Sequence, residues 1–98
     1  MYKVDIGSFK NGYEIRFSGF LDISNIDNIL EEIQDLQLGE KEVKVKIEEV
    51  ETLDLSFLQV LLALKKKIEG GGRCEVEWDI NEEYERLLEV TGFKADLA

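Results

Sequence analysis

The chain has 98 residues, 44% of them hydrophobic and 35% charged, a balance that fits one globular α/β domain with a single modest core. Its 22 acids against 12 bases give a net charge of −10, which disfavours nucleic acid and anionic membrane surfaces as partners. Histidine is absent, so imidazole acid–base chemistry, His-based triads and His metal sites are excluded.

Tyr2, Val4 and Ile6 alternate with Lys3 and Asp5, and Tyr13, Ile15 and Phe17 alternate with Glu14 and Arg16. Both stretches read as half-buried strands. Asn11-Gly12 between them is a two-residue hairpin signal, and a turn centred there opposes Ile6 to Phe17 and Ser8 to Ile15. That register collects the apolar residues of both strands on one face. Next, Ile23, Ile26, Ile29, Leu30, Ile33 and Leu36 recur at helical spacing, with Ser24 and Asp27 resembling a capping box and Gly39 placed to end the helix.

Val43, Val45 and Ile47 alternate with Lys44, Lys46 and Glu48 in a third strand. A second helix from about Ser56 to Glu69 carries Phe57, Val60, Leu61, Leu64 and Ile68 on one stripe and stops at Gly70-Gly71-Gly72. Its end holds the only basic cluster, Lys65-Lys66-Lys67, which suits the negative end of a helix dipole. Cys74, Val76 and Trp78 alternate with Glu75, Glu77 and Asp79 in a fourth strand. If the third and fourth strands are neighbours, the lysines of one face the glutamates of the other. A third helix follows Asp79 or Asn81, opens on Glu82 and Glu83, packs through Tyr84, Leu87, Leu88 and Val90, and ends at Gly92. The predicted order is β-β-α-β-α-β-α. The later βαβ unit is expected to be parallel with its helix on the apolar face, and continuous two-sided apolar runs are missing, so the sheet is covered on one face.

No active site assembles from these residues. Cys74 falls on the buried side of its strand and reads as a packed thiol. Gly70-Gly71-Gly72 follows a helix and lacks the Lys-Ser/Thr of a phosphate-binding loop, and the acidic pairs Glu31-Glu32, Glu48-Glu49 and Glu82-Glu83 read as solvated faces, so no metal or cofactor is expected. No run reaches the roughly 18 apolar residues of a membrane span. The opening Met1-Tyr2-Lys3-Val4-Asp5 lacks a signal-peptide pattern, and one unpaired cysteine fits a reducing compartment, so a cytoplasmic location is expected. One segment stands apart. Glu51-Thr52-Leu53-Asp54-Leu55-Ser56-Phe57 joins a strand to a helix with a hydroxyl at the helix start. Either Ser56 caps the helix with Gln59 completing a box, or Asp54 caps it and Ser56 lies in the first turn. A phosphate on Ser56 would meet backbone N–H groups and the positive end of the dipole.

At this segment the chain resembles the STAS domain family of bacterial anti-sigma factor antagonists, and the likeness runs over nearly the whole chain. Gly19-Phe20-Leu21-Asp22 resembles the family's Gly-x-Leu-Asp after the second strand. Val50 to Leu58 resembles its loop of Asp-Ser-Ser-Gly-Leu type, Leu61-Leu62-Ala63-Leu64 continues the helix, and Leu87 to Phe93 resembles its Leu-x-x-Thr-Gly-Leu/Phe ending. The resemblance implies a two-layer, mixed sheet of four to five strands with helices on one face, and a single domain over residues 1–98. It also implies a non-enzymatic module that binds an anti-sigma factor acting as serine kinase and is phosphorylated at Ser56. Asp22, Asp54, Leu55, Phe57 and Leu58 would then be partner-binding. Phe57 stands where the family has glycine, Leu55 where it has Ser or Thr, and Lys46-Ile47 where Asp-Leu is common. Family members also serve as companions of lipid-asymmetry ABC transporters and of chemotaxis or sensory kinases, a constitutive scaffold alternative. A nucleotide or small-ligand binder is a third reading, disfavoured by the missing basic phosphate site.

Overall fold

The computed structural model describes residues 1–34 and 42–97. Strand β1 (Tyr2–Phe9) turns into β2 (Gly12–Leu21), followed by α1 (Ile26–Gln34), β3 (Glu42–Leu53), α2 (Leu55–Glu69), β4 (Arg73–Trp78), α3 (Glu82–Thr91) and a short α4 (Phe93–Asp96). The described strands form one mixed sheet of four strands, not five, in the order β1-β2-β3-β4. The first pair is antiparallel, and β2/β3 and β3/β4 are parallel. Alternation decides which face is buried: Ile15, Phe17, Val43, Val45 and Ile47 lie on the covered side with no more than 1% of their surface exposed. The helices meet them there with Ile26, Ile29 and Ile33 of α1, Phe57, Leu58, Leu61, Leu64 and Ile68 of α2, and Leu88 of α3, all in one core. The rings of Phe17 and Phe57 meet edge to face, 5.2 Å between centroids.

The opposite face is a lattice of charge. Lys44 opposes Glu75 and Lys46 opposes Glu77 across the parallel β3/β4 pair, as the alternation predicts. Lys46 Nζ lies 3.3 Å from Glu14 and 3.9 Å from Glu77, and Arg16 reaches Glu14 at 2.9 Å. Arg16 first and Lys46 second hold the Glu14 carboxyl below the ordinary glutamate range. These partly exposed pairs keep the open face soluble and each contributes little to stability.

The hairpin corrects the expected register. Phe9 pairs with Gly12, Val4 with Phe17, Ile6 with Ile15 and Ser8 with Tyr13, so the turn residues are Lys10 and Asn11. Neither Asn11 nor Gly12 takes a positive φ. Gly12 is there for a different reason: a Cβ on it would collide with the carbonyl of Glu42, where β3 comes alongside. The shift moves every partner by two residues, which preserves face parity, so the apolar set stays together. Ile6 is nonetheless 42% exposed, because cover thins along the outer strand.

Three further expectations change. α1 begins at Ile26, so Ser24 lies in the preceding corner with its N–H held by Asp22, and Ile23 points away from the core at 68% exposure. Leu36 and Gly39 fall outside the described residues. Val90 is 79% exposed: α3 packs through Leu88 and partly through Tyr84 and Leu87. Beyond Gly92, in the left-handed region at φ 80°, α4 turns Leu97 into the core, an anchor that the apolar pattern alone did not reveal.

Candidate functional site

The site is built by two parallel strands that end side by side. Leu21 and Leu53 are register partners, so Asp22 and Asp54 leave the sheet together. β3 reaches this alignment by bulging: between the pairs Phe17–Ile47 and Phe20–Thr52 it holds two more residues than β2. Glu49, inside the bulge, adopts φ 49°, the left-handed region that non-glycine residues enter at a cost. The bulge brings Thr52 opposite Phe20 and its hydroxyl onto Asp22. Gly19 has φ 85° beside the Met1 carbonyl, where a side chain has neither conformation nor room, which accounts for the glycine of Gly19-Phe20-Leu21-Asp22.

The two carboxylates cross over. Asp22 accepts the N–H of Ser24 (3.0 Å) in its own corner and the Thr52 hydroxyl from the neighbouring strand. Asp54 accepts the N–H of Phe57 (3.3 Å) and the Ser56 hydroxyl in its own helix, and through its other oxygen the N–H of Ile23 (2.9 Å) in the opposite corner. Two further bonds support the crossing: the Asp54 backbone N–H donates to Leu21 O (3.3 Å), and the Tyr84 side-chain hydroxyl of α3 donates to Glu51 O (3.0 Å). The Thr52 hydroxyl first, and the Ser24 N–H after it, lower the Asp22 carboxyl below the ordinary aspartate value. Such bonds favour the charged form because they stabilise its oxygens.

Asp54 is therefore the N-cap of α2, in extended backbone conformation, and Ser56 is the second helical residue. This resolves the two capping alternatives in favour of Asp54. Ser56 is partly exposed at the positive end of the helix, its hydroxyl proton turned to Asp54. Leu55 is 46% exposed beside it, and Ile23 is exposed across the clasp. Phe57 and Leu58 are fully buried, so as side chains they belong to the core and not to the surface a partner meets. The Phe57 ring packs edge to face against Phe17 inside the core.

Of the residues singled out from sequence, the fold thus brings Asp22, Asp54, Leu55 and Ser56 to one surface and takes Phe57 and Leu58 inward. Ile23, Ser24, Thr52 and Tyr84 were missed. Their one signal is the recurrence of Leu-Asp at the ends of two strands, with Thr52 just before the second. Elsewhere, burial pushes the Cys74 thiol up to about 11, with Glu69 adding to the shift, so it stays protonated and unreactive near neutrality. Among the described residues no helix is long and apolar enough to cross a membrane.

A two-layer fold whose polar detail gathers at one strand-to-helix edge, with apolar side chains exposed around it, is the form of an interaction module. The chain belongs to the STAS domain family, whose model matches residues 8–97, nearly its whole length. STAS domains are generally non-catalytic and mediate protein–protein interactions. A search of curated proteins gave no match.

Proposed function

We propose that this chain is an anti-sigma factor antagonist-like module of the cytoplasm, binding an anti-sigma factor that is also a serine kinase and switched by phosphorylation at Ser56. The observation that carries the reading is the placement of Ser56: a partly exposed hydroxyl in the first turn of α2, between the exposed Leu55 and the Asp54 clasp. Unmodified, the surface offers Leu55 and Ile23 as apolar contacts beside Asp22 and Asp54. A phosphate of charge about −1.5 to −2 placed there changes both its shape and its field. The test is incubation with a cognate kinase and ATP, read by intact mass. One added phosphate is expected, lost in Ser56→Ala, and Ser56→Asp should bind the partner more weakly than Ser56→Ala. Equal binding by the two variants sinks the switch.

A second reading, a constitutive scaffold subunit of a lipid-asymmetry transporter or sensory-kinase complex, draws on the apolar groove between α1 and α2. Leu30, Ile33, Val60, Ala63 and Leu64 line it. There Ala63→Glu should abolish assembly while Ser56 variants assemble normally. Leu58→Glu is no test of either reading, because Leu58 is core.

A further inference from the structure

We propose that Asp54 is a relay that carries the chemical state of Ser56 across to the β2–α1 corner; the trigger rests on the phosphorylation reading above. One carboxylate holds three donors on two elements: the Ser56 hydroxyl and Phe57 N–H of α2, and the Ile23 N–H of the opposite corner. It is the only described carboxylate bonded at once to Ser56 and to that corner. Ile23 and Asp54 are 31 positions apart in sequence, so this bond is a tertiary tether and not a local turn.

Phosphorylation removes one of those donors. The γ-phosphoryl group passes from ATP to Ser56: an Oγ–P bond forms, the bridging P–O bond of ATP breaks, ADP leaves, and the hydroxyl proton goes to the kinase's base or to solvent. The product has no Oγ–H to give Asp54. It carries instead a dianionic group next to the carboxylate and close to the same first-turn N–H groups, which anions at helix N-termini seek. Asp54 then faces like-charge repulsion from Ser56 and competition for the Phe57 N–H. Turning away from both carries its second oxygen off the Ile23 N–H. Ser24 remains held by Asp22, so release is confined to Ile23, the strongly exposed apolar residue of that corner. A partner that contacts Ile23 thereby senses Ser56 without touching it.

The experiment uses the full chain with phosphoserine incorporated at position 56 during synthesis, and NMR measurement of amide-proton exchange. In the phosphoserine chain the Ile23 amide should exchange about tenfold faster than in the unmodified chain, as expected for loss of a hydrogen bond to a charged acceptor, while Val45 is unchanged. Asp54→Ala sets the rate of the fully released corner. Ser56→Ala, which removes the hydroxyl without adding charge, should keep Ile23 within about twofold of the unmodified rate, since the tether itself survives. Equal Ile23 exchange in phosphorylated and unmodified chains, with α2 amides still protected, overturns the relay. Because phosphoserine is installed directly, that result is separate from a failure of any kinase to modify Ser56, which would overturn the functional reading alone.

Discussion

The β2–α1 and β3–α2 corners start from the same dipeptide, Leu-Asp, at paired positions of parallel strands, and finish differently. After Leu53-Asp54 the chain enters α2 at once, and Asp54 becomes a helix cap. After Leu21-Asp22 it makes a short polar turn before α1 begins at Ile26; Asn25 donates to Phe20 O (2.9 Å) and Ser24 to Asp22. The residues just after each aspartate make the difference. Leu55-Ser56-Phe57-Leu58 sends two large residues into the core within one turn, which pulls the helix start against the strand. Ile23-Ser24 has no such anchor, so Ile23 stays outside and depends on Asp54 for its tether. One corner is fixed by packing beneath its helix start, the other by its own polar turn together with a hydrogen bond borrowed from across the sheet.

That contrast breaks most visibly at Phe57. Phe57→Ala should cost about 3–5 kcal/mol in urea unfolding, as large-to-small changes at buried aromatics do. Its exposed neighbour Leu55→Ala should change stability by less than about 0.5 kcal/mol while weakening partner binding. Comparable losses at both positions would mean that the corner is not divided into a core side and a partner side.

The two aspartates come next. Asp54→Ala should destabilise by about 2 kcal/mol, the sum of a lost cap near 1 kcal/mol and the lost Ile23 bond, and Asp22→Ala by about 1 kcal/mol. The reverse order would undo the asymmetry. Asp22 also leaves a pH signature. Its folded carboxyl titrates below the ordinary value of 3.8, so its contribution is complete above that pH and is lost as pH falls through the lower folded value. The stability gap between the native chain and Asp22→Asn should therefore be flat at neutral pH and shrink below about pH 4, read by thermal unfolding across that range. The last effect, a gain in stability instead of a loss, is at the bulge that aligns the corners. Glu49→Gly relieves a left-handed non-glycine residue and should stabilise by up to about 1 kcal/mol; a loss instead would assign Glu49 a contact that outweighs its backbone cost.

The sheet and its covered face were legible in the period-two alternation of Val4 to Ile6, Ile15 to Phe17, Val43 to Ile47 and Cys74 to Trp78, because side-chain direction in a strand follows from parity alone. The hairpin register was not, since Asn-Gly carries two meanings: here Gly12 serves a close approach by Glu42, a nonlocal cause. Val90 fitted the helical stripe but α3 is covered on only a narrow strip, and stripe width depends on neighbours that periodicity does not contain. At the site, Asp22, Asp54 and Ser56 could be picked out by type and position. The crossing bonds that join them could not, because Thr52 meets Asp22 only after the β3 bulge has changed the register. Phe57 and Leu58 separate two sources of expectation: the apolar stripe of the second helix already placed Phe57 inward, the family resemblance put both among the partner-binding residues, and the helix buries both.

The dependence of one corner on the other is tested most directly by amide-proton exchange in Asp54→Ala. The Ile23 and Phe57 amides should lose protection together while Val45 and Leu61 keep theirs, since a single carboxylate serves both corners. Protection of Ile23 at its native level in that variant, with Phe57 alone released, would contradict the crossing and leave Asp54 as nothing more than a helix cap.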